Sequence, residues 1–125
     1  MLKICRIFRF EAAHNLPNHS GECQFLHGHG YKLEVEVGGG FQQSGPETGM
    51  VIDFQKLDHI VKVFVVNKFD HKLLNEFFEN PTAEIMVYSI VERLDEPFKN
   101  LGVKIYRVRL WETENSYAEW ESNVY

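Results

Sequence analysis

The 125-residue chain has little that would staple it, anchor it in a membrane or draw it to nucleic acid. Two cysteines, Cys5 and Cys23, are too few for a disulfide framework. No apolar run approaches the roughly 20 residues that a membrane-spanning helix needs. Residues 1–6 lead straight into a strand-like pattern, with no leader segment. A cytoplasmic protein with no membrane partner is therefore expected, with both thiols reduced. Positive charge is scarce as well, with 13 Lys and Arg against 18 Asp and Glu and a net charge of −5. That balance argues against nonspecific nucleic-acid binding and leaves room only for a local basic pocket. Internal repeats, linkers and low-complexity tracts are missing, so one domain over residues 1–125 is expected. A hydrophobic content of 44%, with 14% aromatic residues, excludes disorder and is ample for a core.

What the chain does have begins at Cys23-Gln24-Phe25-Leu26-His27-Gly28-His29. From there the odd positions read His27, His29, Tyr31, Leu33, Val35 and Val37, while the even ones include Lys32, Glu34 and Glu36. Strict alternation marks a strand with one buried face, so both imidazoles point inward with the apolar residues. Two converging neutral imidazoles are half of a metal site, although such a pair is also compatible with two plain polar residues on a strand. A third histidine tips the balance. Phe8, Phe10, Ala12 and His14 share one parity against Arg9 and Glu11. The turn formers of residues 15–22 allow the second strand to return beside the first. Three histidines without a fourth protein ligand describe a catalytic Zn2+ site with an open position. Calcium and magnesium prefer oxygen donors.

The remaining pattern is that of an α+β domain. Residues 2–14 and 27–38 read as long strands, the second ended by Gly38-Gly39-Gly40. After a loop and a short extended piece at Met50-Val51-Ile52, Asp53 is a plausible N-cap for a helix with the stripe Phe54, Leu57, Ile60, Val61 and Phe64. Residues 67–80 form a connector. Thr82 caps a second helix, with Glu84 in its first turn, Met86, Val87, Ile90, Val91 and Leu94 as its stripe, and Pro97 as its stop. Strands at 103–112 and 117–121 complete a β-β-α-α-β-β order, an antiparallel four-stranded sheet with two helices on one face. Cys5, inside a strand, reads as a small buried hydrophobe. Glu112 shares parity with Tyr106, Val108 and Leu110, so its carboxylate should point to the apolar side and need partners, unless it lies past the strand's end. Arg107 and Arg109 share parity with Val103 and Ile105 and face either solvent or a neighbouring subunit.

Six segments occur in a telling order: Phe10-Glu11-Ala12-Ala13-His14, Cys23-x-x-x-His27-Gly28-His29, Gly49-Met50-Val51-Ile52-Asp53-Phe54, Asp70-His71 with Leu74-Asn75, Pro81-Thr82-Ala83-Glu84, and Glu112-Thr113. On these residues the chain resembles the 6-pyruvoyltetrahydropterin synthase family. It is most similar to the bacterial 6-carboxytetrahydropterin synthase branch of queuosine precursor synthesis. The resemblance implies a tunnelling fold, whose subunits associate through their sheets into a barrel-like trimer, with two trimers stacked as a hexamer and active sites at subunit boundaries. It makes His14, His27 and His29 the zinc ligands, Cys23 the general base and Asp70 with His71 the partner acid/base pair. Glu112 becomes the anchor of the pterin ring, with Thr82 and Glu84 lining its pocket.

The implied substrate, 7,8-dihydroneopterin triphosphate, must lose a barely acidic proton from a hydroxyl-bearing side-chain carbon. Zinc serves there as a Lewis acid, a thiolate as proton acceptor and a histidine as proton carrier. Read without the resemblance, Asp70-His71 is an exposed turn, and the alternative for Cys23 is a fourth, closing zinc ligand, although closed zinc sites rarely use three histidines. The implied product is 6-carboxytetrahydropterin, with acetaldehyde and triphosphate released, because only three residues separate Cys23 from His27. Members making 6-pyruvoyltetrahydropterin usually carry a longer insertion there. A folate branch making 6-hydroxymethyldihydropterin uses a glutamate near the cysteine position, and Glu22 precedes Cys23 here. A pterin-binding module without catalysis is the reading from another class; it would need Glu112 and the pocket but not Cys23, Asp70 and His71.

Overall fold

The computed structural model describes residues 2–123. Its first two strands, β1 (Leu2–His14) and β2 (His27–Gly39), pair antiparallel along their whole length. The register sets His14 opposite His27 and Ala12 opposite His29, which gathers three histidines at one end of the sheet. Helix α1 (Phe54–Val61) runs through a π-helical segment, Lys62–Val66, into the short α2 (Asn67–Phe69). A two-residue strand, β3 (Lys72–Leu73), precedes α3 (Ala83–Lys99), and β4 (Lys104–Thr113) and β5 (Ser116–Glu121) form the closing hairpin.

The sheet has five strands, in the order β3-β1-β2-β4-β5, where the sequence pattern predicts four. The extra one, β3, lies parallel to β1 at Ala12 and Ala13. Two residues are too few to show alternation, which is why this strand leaves no pattern.

Alternation does place the core. Phe8, Phe10, Tyr31, Leu33, Val35 and Val37 are buried from the first two strands, and Val108 and Leu110 from β4. They join one cluster with Leu57, Val61, Val65, Met86, Ile90, Leu94 and Phe98 from the helices. Each such side chain contributes about 1.5–3 kcal/mol by leaving water. Both predicted caps form: Asp53 accepts from the Gln55 N–H at 2.8 Å, and Thr82 Oγ1 from the Ile85 N–H at 3.2 Å.

Several expectations need correction. Pro97 lies inside α3, because Phe98 is fully buried one residue later and holds the last turn. The helix runs on to Lys99, and the turn that follows it closes at Gly102, whose φ of 74° suits a residue without a Cβ. Phe64 is exposed, since the π-helical turn adds a residue and hands the buried stripe to Val65 and Val66. Phe54, in the first turn of α1, is exposed too. Cys5 is exposed, as its odd position on β1, shared with Ile7 and Arg9, faces away from the core. In β4 a bulge at Tyr106 shifts the register between Arg107 and Ile105, so Ile105 points inward and Arg107 and Arg109 outward. On that outer face the two arginines meet Glu34, Glu36 and Glu119 in a half-buried ion network. Arg109 lies 2.7 Å from Glu119, and Arg107 lies 3.3 Å from Glu36.

Candidate active site

The three histidines that alternation brings to one end form a single cluster. Their ligating nitrogens lie within 4.8 Å of one another. His14 Nε2 is 3.1 Å from His27 Nε2 and 3.1 Å from His29 Nε2. The rings stand nearly perpendicular to each other, at 73°, 83° and 88°, so edges rather than faces converge.

Protonation follows from the other ring nitrogens. His14 Nδ1 lies 2.9 Å from the Pro81 carbonyl and His27 Nδ1 lies 2.8 Å from the Phe25 carbonyl. A carbonyl can only accept, so each Nδ1 carries the hydrogen and each Nε2 presents a lone pair. Lone pairs facing each other at 3.1 Å repel, and a cation between them converts that repulsion into coordination. The donor set therefore fits a metal ion with a preference for nitrogen ligands. Burial supports the same protonation state. His14 is 1% exposed, and desolvation, then the neighbouring His29 and His27, push its pKa down to about 4. Burial lowers that of His29 too. Among the described residues Cys23 does not join this group, which argues against a closed four-ligand site.

Around the cluster the predicted residues lie along two main clefts, and a shallower one of about 580 Å³ is lined by both His29 and His71. Thr82, Glu84 and Glu112 line one of about 670 Å³, together with Leu16, Tyr117 and Trp120. Glu112 is the link to the histidines: its Oε1 lies 3.9 Å from His29 Nε2, with its side chain 26% exposed. Its predicted inward parity holds, and the hairpin register shifts beside it, between Trp111 and Thr113. Tyr31, buried beneath the rings, lies with its hydroxyl 3.3 Å from His14 Nδ1, and burial raises its pKa well above the ordinary tyrosine value.

Asp70 and His71 line a second cleft of about 600 Å³ on the other side, with Arg9, Glu11, Lys32 and Trp111. His71 Nδ1 is 3.0 Å from Asp70 Oδ1, and the His71 side chain is 77% exposed. The His71 backbone sits at φ 60°, the left-handed region. It is held there from both sides, as His71 N–H donates to the Glu11 carbonyl at 2.6 Å and Asp70 Oδ1 accepts from Glu11 N–H at 3.0 Å. The Glu11 N–H is the main reason that the Asp70 carboxyl stays below the usual carboxylate range, with His71 adding to it. Cys23 lies half-buried in a short 3₁₀ turn, Glu22–Gln24.

The alternation pattern finds the candidate ligands but misses their supports. The carbonyls of Pro81 and Phe25 orient two rings through the backbone, which no residue type announces. Tyr31 had a visible signal in its inward parity next to His29.

Comparison with known proteins agrees with this geometry. The model of the 6-pyruvoyl tetrahydropterin synthase family matches residues 3–123. A 6-carboxy-5,6,7,8-tetrahydropterin synthase from Haemophilus influenzae is 34% identical, over 97% of this chain and 99% of that protein. A dihydroneopterin monophosphate aldolase from Pyrococcus furiosus is 40% identical, over 90% of each. The solved structure of 6-pyruvoyl tetrahydropterin synthase from Caenorhabditis elegans superposes with a TM-score of 0.83, at 27% identity, covering 98% of this chain and 96% of that one. The sheet, the helices packed on it and the histidine cluster at its end are thus a tunnelling fold, and the chain belongs to the 6-pyruvoyl tetrahydropterin synthase family.

Proposed function

We propose that this protein is a zinc-dependent lyase that converts 7,8-dihydroneopterin triphosphate and water into 6-carboxy-5,6,7,8-tetrahydropterin, releasing acetaldehyde and triphosphate, a step toward queuosine. The observation that carries this reading is the convergence of the three histidine Nε2 atoms, those of His14 and His27 unprotonated, beside the cleft that holds Glu112. The name of the Haemophilus influenzae relative, shared by several others, supports it.

A zinc ion held by His14, His27 and His29 would supply Lewis-acid polarisation of the substrate's side-chain oxygens. The chain's own groups do the rest. Glu112 accepts from the pterin's 2-amino group and ring N–H, a bidentate match for a carboxylate, while Thr82 and Glu84 line the ring's cleft. Because Glu112 sits so near His29, a ring anchored there projects its side chain toward the histidines. Cys23 takes the carbon-bound proton. His71, tethered to Asp70 through Nδ1, keeps Nε2 free to exchange protons with the side-chain oxygens. Subunits assemble as a dimer of trimers in the cytoplasm, which brings the Asp70-His71 cleft of one chain to the histidines of another.

A second reading has a specific observation behind it. The name of the Pyrococcus furiosus relative and the placement of Glu22 beside Cys23 favour aldol-type cleavage to 6-hydroxymethyldihydropterin. Incubation with dihydroneopterin triphosphate and mass spectrometry of the pterin separates the readings. A carboxylated product supports the lyase. A hydroxymethyl or pyruvoyl pterin selects another branch of the family, and an unchanged substrate with retained affinity leaves a binding module.

A further inference from the structure

Metal ligands and a neighbouring thiol work together only if something holds their two chain segments at a constant separation. His14 ends β1, and Cys23 lies in the turn-rich segment 15–24 that follows it. Among the described residues, the hydrogen bonds from that segment to any other element go to one side chain, Asn75.

The contact is two-sided. Asn15 N–H donates to Asn75 Oδ1 at 2.9 Å, and Asn75 Nδ2–H donates to the Asn15 carbonyl at 2.9 Å. One carboxamide thus satisfies both main-chain groups of the residue after His14, as a neighbouring strand would. It also prolongs an existing brace. Asp70 and His71 bind the backbone of Glu11, and β3 pairs with Ala12 and Ala13. Asn75 then takes Asn15, so the free edge of β1 is covered from Glu11 to Asn15.

From Asn15 the hold passes to the thiol segment. Asn15 Nδ2–H donates to the Gln24 carbonyl at 3.3 Å, and the next residue's N–H, that of Leu16, donates to the Cys23 carbonyl at 2.7 Å. Asn75 itself is rooted, because Leu74 beside it is fully buried and its carbonyl accepts from Phe77 N–H at 2.9 Å and Phe78 N–H at 3.0 Å.

We infer that Asn75 is a positioning residue, whose carboxamide sets the place of Cys23 relative to the histidine cluster through Asn15. The inference rests on the role proposed for Cys23. Misplacement of a reacting group by about 1 Å can cost on the order of 100-fold in rate, so the loss should appear in kcat.

The test uses the full chain in a Cys5→Ser background, where Cys23 is the single thiol. In Asn75→Ala, kcat with dihydroneopterin triphosphate should fall at least tenfold, with KM within about twofold and zinc content unchanged. The rate of Cys23 alkylation by iodoacetamide, which needs no turnover, should change at least threefold. Asn15→Ala removes only the link to Gln24, leaves the two-sided contact in place, and should give a smaller change of the same sign. It also serves if Asn75→Ala does not fold. Wild-type kcat and alkylation rate in the folded variants would overturn the inference. If the parent protein fails to turn over the pterin, the proposed reaction fails, and a moved alkylation rate still upholds the positioning.

Discussion

An imidazole ligates a metal only through an unprotonated nitrogen, and His14 owes that state to its surroundings. Burial, then His29 and His27, hold its pKa at about 4 against 6.5 for a free side chain. Such a group binds a proton more readily in the unfolded chain. Its contribution to stability is therefore complete above pH 6.5 and is lost as the pH falls toward 4. Chelator-treated protein should lose up to ~3 kcal/mol of unfolding free energy across that window, measured by urea denaturation at several pH values. A flat profile would contradict the buried, neutral ring. Cys23 is a sharper question of the same scale. If it is the proton acceptor, Cys23→Ala should lower turnover by about 10²–10⁴-fold while zinc content and pterin affinity persist. Undiminished turnover would remove it from the chemistry.

At the scale of elements, β2 has close neighbours on both sides, β1 along its whole length and β4 from Lys32 to Gly38. Among the glycines of β2, Gly38 leaves least room for a side chain, at the end of the sheet away from the histidines. A Cβ there would meet the Leu2 carbonyl at 2.6 Å and the Tyr106 ring at 2.8 Å. The ring can rotate away, but the β1 backbone cannot. Gly38→Ala should destabilise the fold by about 1–3 kcal/mol, read from the denaturant midpoint with an unchanged slope. Stability equal to the parent would show that the strands can separate there at no cost.

The same elements mark what could be read from the chain beforehand. β1 and β2 were legible because each has one wet and one buried face, and that alternation named all three metal-ligand candidates. The Tyr106 bulge was not, since one inserted residue reverses the parity of Arg107 and Arg109 without changing composition. The π-helical turn hid the exposure of Phe64 for the same reason. Cys5 was misread from residue type where its parity with Arg9 pointed outward. Asp70-His71 drew attention only in company with the other segments. The backbone clasp on Glu11 that fixes it is invisible in a sequence.

For the whole molecule, the division of candidate residues between two clefts has a consequence. Thr82, Glu84 and Glu112 open to one side, and Asp70 and His71 to another. In the proposed hexamer, a site using both would draw on more than one subunit. Sedimentation should then give about six times the 14.6 kDa chain mass. Cys23→Ala and His71→Ala proteins, each inactive, should recover about a quarter of parental turnover after dissociation and random reassembly. No recovery from properly mixed assemblies would place each site within one chain.

The proposed chemistry depends on a metal held by His14, His27 and His29 with room left for a reactant. X-ray absorption at the zinc edge of the loaded protein tests that most directly. The account predicts three nitrogen neighbours at about 2.0–2.1 Å plus a light oxygen donor, and no sulfur. A sulfur neighbour at about 2.3 Å would contradict it by making Cys23 a ligand and closing the site, as would fewer than three imidazoles around the ion.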